Sequence, residues 1–90
     1  MRAWRVYDAA MQRFHLNLYN QQYDLLDEEG HLLADLPTAR ARAIVSIREL
    51  LCADLAQGTF DLRGRMTITD EDGALLMTVP FVDAVTIKLP

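Results

Sequence analysis

From Leu36 to Gln57 the chain runs without a glycine, and its only proline there, Pro37, stands at the second position. A stretch this long with such punctuation constrains the fold more than any other feature. Asp35 is a natural N-cap, because its carboxylate can accept from the free amides of a first helical turn. Pro37 falls where no amide donor is missed, and Gly58 is the C-terminal stop. At 100° per residue, Leu36, Ala43, Ile44, Ile47, Leu50, Leu51 and Leu55 share one broad side, with Arg42, Ser46 and Glu49 opposite. The spacing predicts one amphipathic helix over 36–57.

The segments around it have period two. In RFHLNLY, residues 13–19, Phe14, Leu16 and Leu18 alternate with His15, Asn17 and Tyr19, as in a half-buried strand. Asn20 to Gln22 makes a turn, and a second short strand covers Tyr23 to Leu26. Met66 and Ile68 alternate with Thr67 and Thr69. DEDG at 70–73 then reads as a hairpin turn in which Asp72-Gly73 accepts left-handed backbone. Leu75, Met77, Val79 and Phe81 share a strand face, and Pro80 marks an edge or an end. Val85, Ile87 and Leu89 suggest an extra C-terminal strand.

One amphipathic helix must cover one apolar sheet face. The expected fold is therefore α+β, with two layers. A mostly antiparallel sheet of four or five strands carries the long helix on one face, in the order β-β-α-β-β. Residues 11–90 form this single domain. Residues 1–10 are an N-terminal extension, read either as a frayed tail or as a short amphipathic helix, since Trp4, Tyr7, Met11 and Phe14 have helical spacing.

These pieces, taken in order, resemble a known family. MQRFHLNLY begins at Met11, and DEEG follows at 27–30. Asp35-Leu36 then comes with Ala39-Arg40 and Ala43, RELLCAD spans 48–54, and TDEDG precedes LLMTVPFVDAV. The chain is similar over about residues 11–87 to a family of small bacterial proteins known only as a domain of unknown function. The resemblance implies the fold and its limits, and no activity, cofactor or catalytic residue. Two departures stand out. Asn20-Gln21-Gln22 replaces an Asp-Gly-type turn, and ten residues precede Met11, so that Met11 is an alternative start.

The stretch DEEGHLLADLPTARARA, residues 27–43, poses a chemical question. Asp24, Asp27, Glu28, Glu29, His31 and Asp35 could offer oxygen and nitrogen ligands. An EF-hand register from Asp24 puts Glu29 where glycine is required and Asp35 at the twelfth position, so it fails. Zinc would ask for several His or Cys. The reading is a solvated acidic turn followed by a helix start, with no metal. Such turn carboxylates are expected to keep ordinary pKa values.

Catalysis is poorly supplied. Ser46, the only serine, falls in mid-helix, as does Cys52, which is expected to be buried or idle. His15 and His31 are the only histidines, and the four glycines are isolated, so no phosphate loop is formed. No catalytic residue and no cofactor are expected.

Composition bears on partners. Hydrophobic residues make up 51% of the chain, more than a one-layer core needs, and a shared core in a homodimer is one outlet. The formal charge of −4 opposes non-specific nucleic-acid binding. Arg13, Arg63 and Arg65 near outward-facing His15 and Tyr19 keep a nucleic-acid alternative open. One cysteine forms no internal disulfide. No apolar run approaches the length of a membrane span, and no apolar region follows Arg2 and Arg5 as in a secretory signal. The expected setting is cytoplasmic.

The functional expectation is a non-catalytic interaction or accessory module acting as a homodimer. Its candidate interaction surface is the sheet face away from the helix: His15, Asn17, Tyr19, Thr67, Thr69, Leu76 and Thr78. The alternative is a regulatory nucleic-acid-associated protein using the same face.

Overall fold

The computed structural model describes residues 11–90. The extension read from residues 1–10 lies outside the described residues. Five antiparallel strands and one long helix form the domain: β1 (Gln12–Tyr19), β2 (Asp24–Leu25), β3 (His31–Leu33), α1 (Leu36–Ala56), β4 (Arg65–Thr69) and β5 (Leu75–Pro80), followed by a 3₁₀ turn at Phe81–Ala84. The sheet runs in the order β2-β1-β4-β5, with β3 also paired to β1. The fold is thus the α+β arrangement that the sequence predicts.

The helix keeps its expected limits. The Asp35 side chain accepts from the Thr38 amide at 2.9 Å. At the other end Gly58 has φ +91°, the Gly58 amide donates to the Leu55 carbonyl and the Thr59 amide to that of Asp54. This pair of bonds through a left-handed glycine is a Schellman ending, and it satisfies carbonyls that would otherwise be orphaned. Ala39, Ala43, Ile47 and Leu51 form a fully buried stripe, flanked by half-buried Leu36, Ile44 and Leu50. Leu55 does not join them. It is exposed, one turn beyond Leu51, the last buried residue of α1.

Facing the stripe are Phe14, Leu16, Met66, Ile68 and Val79 from the sheet, with Phe81 and Ala84 from the 3₁₀ turn. The C-terminal strand expected from Val85, Ile87 and Leu89 is not formed. Pro80 ends β5, and the chain turns so that Phe81 is buried and Arg48 of α1 donates through Nε to the Ala84 carbonyl at 2.6 Å. The turn therefore takes the place against the helix that a further strand would need. Phe81 is held from below by Gly64, whose carbonyl accepts from the Phe81 amide at 2.9 Å. In an antiparallel ladder, donors alternate between neighbour and free edge. That bond directs the Met77 and Val79 amides at β4, and leaves Thr78 and donorless Pro80 facing outward on the edge strand.

The β4–β5 turn also differs in detail from expectation. Only Gly73 takes positive φ, at 84°, while Asp70 closes the turn by accepting from the amides of Asp72 and Ala74. A register shift at Ile68/Thr69 accommodates the extra residue.

A Cβ added at Gly64 would lie 2.4 Å from Phe81 Cε2. Gly64→Ala is therefore expected to lose about 1–3 kcal/mol in urea unfolding through overpacking. Gly58→Ala, where a Cβ meets nothing within 4 Å, should lose only about 1 kcal/mol through its backbone conformation.

Candidate functional site

The sequence hides one strand. His31–Leu33, read as part of a turn and helix start, is β3, and it pairs with the same edge of β1 as β2 does. Leu18 lies opposite Leu25 and Phe14 opposite His31. That is four steps along β1 (18 − 14) against six along its partner (31 − 25), so two residues are surplus. The partner strand of β1 is broken by a wide bulge, from Leu26 to Gly30.

Asp27 closes the gap. Its Oδ2 accepts from the Leu16 amide and its Oδ1 from the Gly30 amide, both at 3.0 Å. Its own amide donates to Asn17 Oδ1 at 3.0 Å, and its carbonyl accepts from His15 Nδ1 at 2.6 Å. A carbonyl only accepts, so the His15 proton sits on Nδ1. His31 Nδ1 lies 3.0 Å from Asp27 Oδ2, off the line of a hydrogen bond. Gly30 has φ +74°, and a Cβ there would meet Arg13 Cγ at 2.9 Å and the Phe14 carbonyl at 3.0 Å. The acidic turn is thus a clasp on β1 as well as a solvated loop.

Asp27, Asp35 and Asp61 are not ordinary carboxyls. Burial pushes the Asp27 carboxyl up, but the Leu16 and Gly30 amides and the His31 charge prevail and hold it below 3.8. The Thr38 hydroxyl and amide lower Asp35. The Arg63 guanidinium, bound at 2.9 Å through both Nε and Nη2, holds Asp61 down to about 2. The expectation of unperturbed turn carboxylates fails at these three because each accepts local donors.

Behind the clasp, on the helix side of the sheet, lies an apolar groove of about 610 Å³. Leu16, Leu18 and Met66 form its floor, Ser46 and Leu50 of α1 one wall, and Leu25, Leu26 and His31 the other, with Asp27, Glu28 and Glu29 at the rim. It exists because α1 packs chiefly over β4, β5 and the 3₁₀ turn. A helix is about 10 Å across, and four strands span about 14–19 Å. The β1–β2 side is left open, with Leu25 and Leu26 more than half exposed.

The sheet face chosen from sequence is brought together as rows. His15 stands beside Thr69, Asn17 beside Thr67 and Thr67 beside Thr78, while Tyr19 stands beside Arg65. Leu76, on the bulged edge strand, is exposed. Asn17 is buried, and its amide nitrogen reaches the Thr67 and Thr69 hydroxyls at 3.3 Å each. The polar centre of this face is therefore satisfied from within. The Arg65 guanidinium lies 4.6 Å from the centre of the Tyr19 ring. Arg13 donates to the Glu29 carbonyl at 2.8 Å, and Arg63 is held by Asp61.

Ser46, His31 and Asp27 line one groove, an encounter that their sequence spacing does not announce. No hydrogen bond joins Ser46 to His31 among the described residues. Cys52, expected to be buried or idle, is exposed on α1, so it is not buried. Among the described residues no cluster of three His, Cys, Asp or Glu side chains could hold a metal ion, and no helix is long and apolar enough to cross a membrane. The groove itself had one sequence signal, the adjacent pair Leu25-Leu26 between acidic residues, which a two-residue strand cannot bury on both sides.

A helix on one half of an antiparallel sheet, with a bulged edge strand clasped by an aspartate, defines a small two-layer α+β domain with an open apolar groove. The chain belongs to a domain family of unknown function, DUF6894, whose model matches residues 13–82. No curated protein and no solved structure matches it.

Asp27→Ala is expected to cost about 2 kcal/mol or more, since it strands two amides that bond a charged acceptor. A carboxyl lowered on folding contributes stability that is complete above its unfolded value near 3.8 and is lost as pH falls through the folded value. The gap between wild type and Asp27→Ala in urea unfolding should therefore be constant near neutrality and narrow below about pH 4.

Proposed function

We propose that this domain is a non-catalytic interaction module, bacterial and cytoplasmic, that acts as a homodimer and makes its contacts through the groove between α1 and the β1–β2 side of the sheet. The observation that carries this reading is the groove's make-up, a leucine-rich floor and wall under an acidic rim. Apolar surface in a concave setting is what a partner segment buries. The rim selects for basic residues on that segment and disfavours acidic ones.

A second reading keeps the opposite sheet face as a nucleic-acid surface, on the strength of Arg65 stacked over Tyr19. A planar cation on an aromatic ring is a platform on which a base can stack. This reading predicts salt-sensitive retention on single-stranded nucleic acid, lost in Tyr19→Ala and in Arg65→Ala.

Light scattering coupled to size exclusion, run on the full chain at two concentrations, separates the two. The interaction reading expects a dimer at both. It also expects Leu25→Glu/Leu26→Glu to shift the protein toward monomer with an unchanged circular dichroism spectrum. A wild-type monomer at both concentrations would remove the homodimer from the proposal.

A further inference from the structure

We infer that the occupant of the groove is the segment of residues 1–10 from a second copy, the two copies exchanging their segments reciprocally about a two-fold axis. The inference rests on the interaction reading above and adds what fills the site.

Three features of the chain point to this occupant. First, chemistry matches. The segment reads MRAWRVYDAA, and Trp4 and Tyr7 fall three apart, on one face of a helical turn. Such a face fits the groove's accessible apolar surface, half-buried Leu18 and exposed Leu25 and Leu26. Arg2 and Arg5 leave the other side of such a segment, and their long side chains can reach the exposed carboxylates of Glu28 and Glu29 at the rim.

Second, size matches. Ten helical residues measure about 15 Å. The uncovered surface is the strip of half-buried Leu18 and exposed Leu25 and Leu26 beside α1, and α1 is the only α-helix among residues 11–90.

Third, the connection favours a neighbour over the segment's own groove. Leu16 and Leu18 lie four and six residues beyond Gln12, about 13 and 20 Å along β1. A segment seated on its own groove would have to reverse sharply just before β1. The residues there are Asp8, Ala9, Ala10 and Met11, with no glycine or asparagine to take the left-handed turn that ends a helix tightly. Exchange between identical chains needs no such reversal and repeats one good contact twice.

The test uses the only tryptophan, Trp4, as its reporter. In the full chain the expected state is a dimer with blue-shifted, quencher-protected Trp4 emission. Arg2→Glu/Arg5→Glu and, separately, Glu28→Arg/Glu29→Arg should each weaken self-association by about tenfold or more, because like charges then meet at the rim. Glu28 and Glu29 are exposed and the described core is built from residues between Phe14 and Ala84, so folding, read by circular dichroism, should be unchanged. Mixing the two variants restores both seats at once, since acidic arms meet basic rims and basic arms meet acidic rims. A heterodimer with protected Trp4 is the expected product. A monomer with protected Trp4, indifferent to mixing, would overturn exchange in favour of a segment folded on its own groove. A dimer with solvent-exposed Trp4 would overturn the segment's role and leave the homodimer standing. A monomer with exposed Trp4 would overturn both.

Discussion

Every strand of this sheet is positioned, directly or through one neighbour, by β1, and β1 keeps its outer edge only because one carboxylate stands in for a missing stretch of ladder. Where the bulge lifts away, Asp27 supplies acceptors to the Leu16 and Gly30 amides and lends its own backbone to Asn17 and His15. The buried Asn17 then carries the connection on to the hydroxyls of Thr67 and Thr69 on β4. A buried donor left without a partner is costly. The clasp thus sets the register of β3, which delivers the chain to Asp35 and starts the helix, while its far side shapes the groove rim. Fold and candidate site share one residue.

Much of this could be read from the sequence, and the reasons are local. The helix is bounded by a cap, an early proline and a left-handed glycine, each of which acts within one turn. β1 and β4 show their burial through period two. The elements that escaped notice depend on distant partners. His31-Leu32-Leu33 is too short to show a period, and becomes a strand only because β1 offers it an edge. Val85, Ile87 and Leu89 alternate well, yet the place a strand would need is taken by the 3₁₀ turn, fixed at Phe81 by Gly64, seventeen residues earlier, and at Ala84 by Arg48 from the helix. Alternation records a capacity for strand pairing, and topology decides whether it is used.

The candidate site was the least legible part for the same reason. The outward face of β1 and β4 follows from alternation, so His15, Asn17, Tyr19, Thr67 and Thr69 could be grouped in advance. The groove follows from where α1 sits across the sheet, which no residue pattern announces. Leu50 and Ser46 were placed on opposite sides of the helix, yet both reach the groove wall, because α1 lies over β4 and β5 and turns its flank to β1. Apolar content beyond the needs of one helix against one sheet finds its place here, on the half that the helix does not cover.

The ends of the sheet carry a consequence for how copies of this chain can assemble. Sheets grow when an exposed strand lends its free amides and carbonyls to an incoming strand. On the β5 side the outward position at residue 80 is a proline, so that edge loses a donor where the strand ends. On the other side the edge is cut in two by the bulge, and neither piece exceeds three residues. Both borders are poor templates for open-ended stacking into fibres. Any contact between copies is thereby steered to the broad surfaces of the domain, where a two-fold axis would close the assembly and stop its growth.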